Sequence, residues 1–78
     1  MKKVIDLHGV SHEKAVLMVE EYLLMNSFGN DLELELITGK SPKLQKKIIE
    51  NILTKYDFNY YIPNHNTGMM YITDTKIN

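Results

Sequence analysis

The chain has 78 residues, of which 44% are hydrophobic and 24% charged, and its formal net charge is -1 at pH 7. This length allows one domain with a thin core, and the absence of cysteine excludes disulfides, thiolate metal sites and cysteine nucleophiles. A net charge this close to zero supplies no overall attraction to nucleic acid, so binding of that kind would need a local cationic patch.

The first predicted strand, residues 4–7, runs into the sequence DLHG, which contains Asp6 and His8. Side chains two residues apart in an extended chain point to the same face, so Asp6 and His8 are expected side by side, with Ile5 and Leu7 in the core. Such a pair could orient a general base, bind a metal through the imidazole or hold a phosphate. Taken alone, such a pair more often does no more than form the turn at the strand end.

A first helix is predicted from His12 to Ser27, with Ser11 as its N-cap and its end near Gly29. One face of this helix is apolar and is expected to pack on the sheet: Ala15, Val16, Val19, Tyr22 and Leu23. Leu17 and Leu24 fall instead among glutamates on the polar side. They are either scattered surface leucines or a contact stripe for a second copy of the chain.

Residues 31–36 read DLELEL, a strict alternation that predicts a strand with one buried and one wet face. A sheet covered by helices on both sides would not alternate in this way. Glu33 and Glu35 therefore predict two layers, with both helices on one face of the sheet. Right-handed crossovers give the same arrangement when all parallel connections proceed in one direction across the sheet.

This strand runs into Thr38, Gly39 and Lys40, and a second helix is predicted from Pro42 to about Tyr56 with Ser41 as its N-cap. The chain thus contains two strand-to-helix turns. If the two strands are parallel neighbours, both turns lie at the carboxyl edge of the sheet, where open α/β sheets bind their ligands.

Four lysines crowd the start of the second helix: Lys40, Lys43, Lys46 and Lys47. A helix N-terminus already carries partial positive charge, so this placement favours phosphate binding over a merely solvated face. Gly39 would allow a phosphate to approach the backbone closely, and the hydroxyl groups of Thr38 and Ser41 would add donors.

The rest of the chain is predicted to form a hairpin, with strands at residues 58–62 and 69–73, a loop between them and a frayed tail at 74–78. Tyr61 and Tyr71 have the parity of open-face positions, where they could stack on bases or serve only as strand formers. His12 and His65 lack metal-ligand spacing with His8 and are expected to be surface histidines.

The order of these motifs resembles the Smr (small MutS-related) domain family: DLHG, a helix, a strand ending in TGK before a second helix, and two more strands with a late glycine, Gly68. The resemblance covers about residues 4–73. It implies an α/β, two-layer βαβαββ fold with a four-stranded mixed sheet of order 1-2-4-3, an antiparallel last strand and both helices on one face. That fold is similar to the C-terminal domain of bacterial translation initiation factor three.

Several Smr domains are nicking endonucleases on DNA or RNA, so the resemblance implies work on nucleic acid. The family's proposed functional positions correspond here to Asp6, His8, Gly39 and Lys40. We therefore expect a stand-alone, cytoplasmic nucleic-acid-binding domain that could also be a weak endonuclease, with Asp6 and His8 as catalytic residues.

The chain departs from the family pattern at two positions, because Ser41 replaces a second glycine and Gln45 replaces an arginine. Both departures favour binding over cleavage. The predicted nucleic-acid-binding residues are Thr38, Gly39, Lys40, Ser41, Lys43, Lys46 and Lys47.

No metal site, required cofactor or membrane segment is predicted, although a divalent metal could assist cleavage. The alternative function is a non-catalytic protein-interaction module that keeps the fold. Such a module would use the open sheet face or the Leu17 and Leu24 stripe, which could also form a homodimer.

Overall fold

The computed structural model describes residues 2–26 and 32–73. Its strands are β1 (Lys2–Asp6), β2 (Glu33–Ile37), β3 (Asn59–Tyr61) and β4 (Met69–Thr73). Helix α1 spans His12–Asn26 and lies between β1 and β2 in the chain. Helix α2 follows β2 as three consecutive segments: α-helical Pro42–Ile48, π-helical Ile49–Leu53 and a last α-helical turn, Thr54–Tyr56.

The four strands form one mixed sheet in the order β1-β2-β4-β3. Strands β1 and β2 are parallel, and β4 runs antiparallel to both β2 and β3. The register places Asp6 opposite Ile37 and Ile37 opposite Met69. The ends of β1 and β2 and the start of β4 therefore share one edge of the sheet, called the carboxyl edge below. The predicted four-stranded mixed sheet is confirmed, including its strand order.

The two helices and one face of the sheet enclose a single apolar core. Along β2 the side chains alternate, with Leu34 and Leu36 buried and Glu33 and Glu35 on the other, open face. The buried core residues are Leu7, Ala15, Val19, Leu23, Leu32, Leu34, Leu36, Leu44, Ile48, Ile52, Leu53, Met70 and Ile72.

Ile5 and Val16, both predicted to be buried, are only half-buried and pack against the margin of this core. Ile5 belongs to β1, the outer strand of the sheet, so it has a neighbouring strand on one side. Val16 lines a groove on the outer side of the two helices, where solvent reaches it.

Helix α1 begins as predicted, because the Ser11 hydroxyl oxygen accepts a hydrogen bond from the Lys14 amide (3.2 Å). This contact satisfies one of the free N–H groups of the first turn. The predicted end near Gly29 and the predicted tail at 74–78 lie outside the described residues.

Helix α2 also begins as predicted, with the Ser41 hydroxyl accepting from the Leu44 amide (3.3 Å) and Pro42 at the first helical position. Its π-helical middle was not predicted. This wider turn lies where two adjacent residues, Ile52 and Leu53, are both buried. The helix ends at Asp57, whose φ of 63° is left-handed.

The hairpin is shorter on its first side than predicted, because β3 contains only residues 59–61. Phe58 and Ile62 flank it and pack against the core instead of extending the ladder. The connecting loop turns where the Asn66 amide donates to the Pro63 carbonyl (3.2 Å). Among the described helices, none is both long and apolar enough to cross a membrane.

Candidate nucleic-acid interface

The two strand-to-helix turns lie next to each other at the carboxyl edge. The parallel pairing continues one residue past β1, where the Leu7 amide donates to the Ile37 carbonyl (2.9 Å). His8 and Gly39 each lie two residues beyond the last paired positions, Asp6 and Ile37. The predicted convergence of the two turns is therefore present in the structure.

The first turn is shaped by Asp6. Its Oδ1 accepts a hydrogen bond from the main-chain amide of His8 (2.9 Å), and the Val10 amide donates to the Leu7 carbonyl (3.1 Å). Gly9 has a φ of +80°, which glycine adopts without strain. The carboxylate thus holds the turn through the main chain of His8, as in the turn-forming alternative, while the side chain of His8 is exposed at the edge.

The second turn is hydrogen-bonded to Gly68, the residue that precedes β4. The amides of Thr38 and Gly39 both donate to the carbonyl of Gly68 (2.9 and 3.0 Å). A Cβ added to Gly68 would lie 3.3 Å from the carbonyl carbon of Gly39, so a glycine at position 68 allows this close backbone contact. Gly39 itself has a φ of +71° and is followed by the exposed Lys40.

A buried polar network fixes the same turn to α2. Gln45 Nε2 donates to Thr38 Oγ1 and to the Thr67 carbonyl, each at 2.9 Å. The Thr38 hydroxyl lies within hydrogen-bond distance of the carbonyls of Gly39 (2.8 Å) and Gly68 (3.1 Å) and can donate to either. Thr38 is buried, so its hydroxyl is used inside the protein, whereas the sequence suggested that it would face a phosphate.

Gln45 positions the second turn, a role that its departure from the family pattern does not indicate. It is buried and connects α2 to the turn at Thr38 and to the hairpin loop at Thr67. The signal available in the sequence was a glutamine next to Leu44 on the inner side of an amphipathic helix, where an apolar residue would be usual.

The lysines lie at the entrance of this edge and along the outside of α2. Lys40, Lys43, Lys46 and Lys47 are all exposed. The last three are spaced so that they share one helical face, away from the buried side of the helix. Lys47 also lines a groove of about 350 Å³ between α1 and α2. The cationic surface therefore extends from the Gly39 turn along the outer face of α2.

Tyr61 and Tyr71 lie on the open face of the sheet, as their parity predicted. They are cross-strand neighbours, and their rings stack with centroids 5.0 Å apart and an interplanar angle of 21°. Glu33 and Glu35 line the same shallow pocket of about 230 Å³. Carboxylates beside the rings oppose the approach of a phosphate backbone, so this face differs in charge from the carboxyl edge.

The apolar residues predicted on the polar side of α1 are exposed. Leu17 has 64% and Leu24 44% of its surface accessible to solvent. Leu17 lies on the flank of α1 that faces α2, where it lines the same groove as Lys47. His12 is half-buried in that groove, and His65 is exposed in the hairpin loop.

Within residues 2–26 and 32–73, no group of three or more acidic or histidine side chains is placed to hold a metal ion. Comparison with protein-family models, with curated proteins and with solved structures gives no match for this chain.

Proposed function

We propose that this chain is an Smr-like domain that binds the phosphate backbone of DNA or RNA at its carboxyl edge. One observation carries the proposal: the exposed Lys40 and Lys43 follow a glycine turn that two backbone hydrogen bonds hold against Gly68. A pre-formed turn loses little conformational entropy when a ligand binds, so little of the binding free energy of the neighbouring lysines is lost in ordering the turn.

The architecture supports the family part of this proposal. The strand order β1-β2-β4-β3 and the antiparallel β4 are those that the Smr resemblance implies. Under this proposal the fold is similar to the C-terminal domain of bacterial translation initiation factor three, and Gly68 is the late glycine of the pattern.

The chemistry of binding is electrostatic. Each lysine that neutralises a phosphate releases condensed counterions, so affinity falls with salt at a slope of about -0.9 per contact for duplex DNA and about -0.7 for single strands. Lys40 and Lys43 lie closest to the turn in the chain, with Lys46 and Lys47 continuing along the helix. Contacts of this kind fix the position of the ligand and carry no base sequence.

Nicking is the catalytic extension of this proposal. His8 is exposed at the same edge and would act as general base, and Lys40 would stabilise the charge that develops on the phosphate. Asp6 would support the reaction by holding the turn that presents His8. An RNA substrate would suit this arrangement, because its 2′-hydroxyl is a built-in nucleophile.

The test is a binding titration against labelled single-stranded, duplex and branched DNA and RNA, at two salt concentrations, with and without magnesium. Lys40→Ala and Lys43→Ala should each weaken binding and reduce the salt slope by about one, with folding unchanged. Lys55→Ala is the matched control, because Lys55 is an exposed lysine in the last turn of α2. An affinity that does not change between the two salt concentrations would refute the phosphate site.

A protein-interaction module is the second candidate function, and the exposed Leu17 and Leu24 favour it. The same titration separates the two functions. An interaction module would bind none of the nucleic acids, and a variant carrying Leu17→Glu would lose its partner without any change at the lysines.

A further inference from the structure

Strand β1 is an outer strand of the described sheet, so one of its two backbone edges faces away from β2. The Leu7 amide points to β2, where it donates to Ile37. Backbone groups of successive strand residues point to opposite sides, so the N–H and C=O groups of positions 2, 4 and 6 point away from β2. Three donors and three acceptors thus face outward from this edge.

The sequence of this edge is complementary to itself in the antiparallel direction. β1 reads KKVID. When two copies pair antiparallel about Val4, position 2 of each copy lies opposite position 6 of the other, which places Lys2 across from Asp6 twice. Val4 meets Val4 at the centre, and 46% of its surface is exposed in the single chain. Opposite charges and β-branched residues are favourable cross-strand pairs.

A groove lies beside the same edge. Its volume is about 530 Å³, and it runs between β1 and α1. Met18, Tyr22 and Met25 of α1 line it together with Ile5. Glu21 also lines the groove.

We infer that β1 is the docking edge for a second copy of this chain, which joins two four-stranded sheets into one eight-stranded sheet across a two-fold axis. A second copy is the expected partner, because the charges along β1 complement those of an antiparallel β1 across a two-fold axis. An isologous contact requires such self-complementarity. The pairing makes up to six backbone hydrogen bonds, two at each of the three residue pairs formed by positions 2, 4 and 6. Since one strand pair and one helix flank form a small interface, the dimer is weak and depends on concentration.

This inference does not rely on the proposed nucleic-acid binding, but it has a consequence for the carboxyl edge. In the dimer, Lys2 of the second copy lies opposite Asp6, at the start of the turn that carries His8. The two-fold contact therefore reaches the carboxyl edge of each chain.

Sedimentation of mixed variants tests the register directly. Lys2→Glu places acids opposite Asp6, and Asp6→Lys places lysines opposite each other, so each variant alone should dimerise about tenfold more weakly than the unchanged chain. In an equimolar mixture every pair is again oppositely charged. The mixture should therefore restore dimerisation to about the original level.

Val4→Glu and Val4→Lys provide a second pair in case the Asp6 change disturbs the turn. Each alone sets like charges facing at the two-fold axis, and only their mixture should associate. Lys55→Glu mixed with Glu50→Lys is the control, because both residues are exposed on α2, and it should leave the dissociation constant unchanged.

The inference is overturned if the unchanged chain stays monomeric at every concentration tested. It is also overturned if the chain dimerises but the β1 variants have no effect. A dimer that is lost on Leu17→Glu and kept in the β1 variants would place the contact on the other flank of α1.

Discussion

Gly68 lies against Gly39 with their backbones in contact: a methyl group added to Gly68 would lie 3.3 Å from the carbonyl carbon and 3.5 Å from the Cα of Gly39. The two residues come from turns on different strands, β2 and β4, and the Gly68 carbonyl accepts both amides at the tip of the β2 turn. The position of the Gly39 turn is therefore set by β4 as well as by β2.

Gly68→Ala should destabilise the domain by about 1–2 kcal/mol, because the added methyl group forces the Gly39 backbone to shift in a packed site. Urea unfolding measures this cost, and the DNA and RNA titration measures the effect of the shifted turn on binding. We expect nucleic-acid affinity to fall along with stability. An alanine variant of unchanged stability would show that the turn yields without strain.

Gly39→Ala should also cost about 1–2 kcal/mol, for a different reason. A Cβ at position 39 meets nothing within 4 Å, so the cost comes from the φ of +71° rather than from contact. Gly39→Asn is the matched control, because asparagine adopts left-handed conformations more readily. Equal unfolding free energies for the two variants would contradict this explanation.

Gln45→Leu should lower stability by about 1–3 kcal/mol, because the buried Thr38 hydroxyl and the Thr67 carbonyl both lose their donor. Chemical denaturation gives the size of the loss. Lys46→Leu, one residue further along the helix and exposed, should change stability by less than about 0.5 kcal/mol. Similar losses in both variants would mean that the network does not stabilise the turn.

Tyr56 connects the end of α2 to α1 by donating its hydroxyl to Glu20 Oε2 (2.8 Å). Both side chains are half-buried, so Tyr56→Phe should cost about 1 kcal/mol. A double-mutant cycle with Glu20→Ala, which removes the acceptor, measures the coupling. A coupling energy of zero would show that the two effects are independent.

If the domain nicks nucleic acid, His8→Ala should abolish cleavage and leave binding intact, because the exposed ring would be the general base. Asp6→Asn keeps an oxygen that can accept the His8 amide, so the fold should persist while the loss of charge reduces the rate. Cleavage of plasmid or RNA by purified protein reports both effects. A rate unaffected by His8→Ala would identify a contaminant or a different site.

The sequence predicted the fold well where one physical signal was dominant. The alternation around Glu33 and Glu35 indicated the open face, and Ser11 and Ser41 marked both helix starts. The strand order and the antiparallel β4 came from the family resemblance and agree with the structure. These features depend on local periodicity, capping and the order of motifs along the chain.

The details of the site were less predictable, because they depend on contacts between residues distant in the chain. Thr38 looked like a hydroxyl donor for phosphate, and its internal use requires knowing that Gly68, 30 residues later, lies beside it. The role of Gln45 was missed for the same reason. The π-helical turn depends on how Ile52 and Leu53 share the core, which residue spacing alone does not show.

Because β4 is an inner strand of the sheet, the candidate site is complete only when the whole sheet has folded. β4 is the last strand described along the chain, yet it lies between β2 and β3, and long-range pairing of this kind forms slowly. Until it inserts, the Gly39 turn has no Gly68 carbonyl to hold it. A partly synthesised or partly folded chain would display the lysines without their rigid turn, so the proposed phosphate site would form only once β4 is in place.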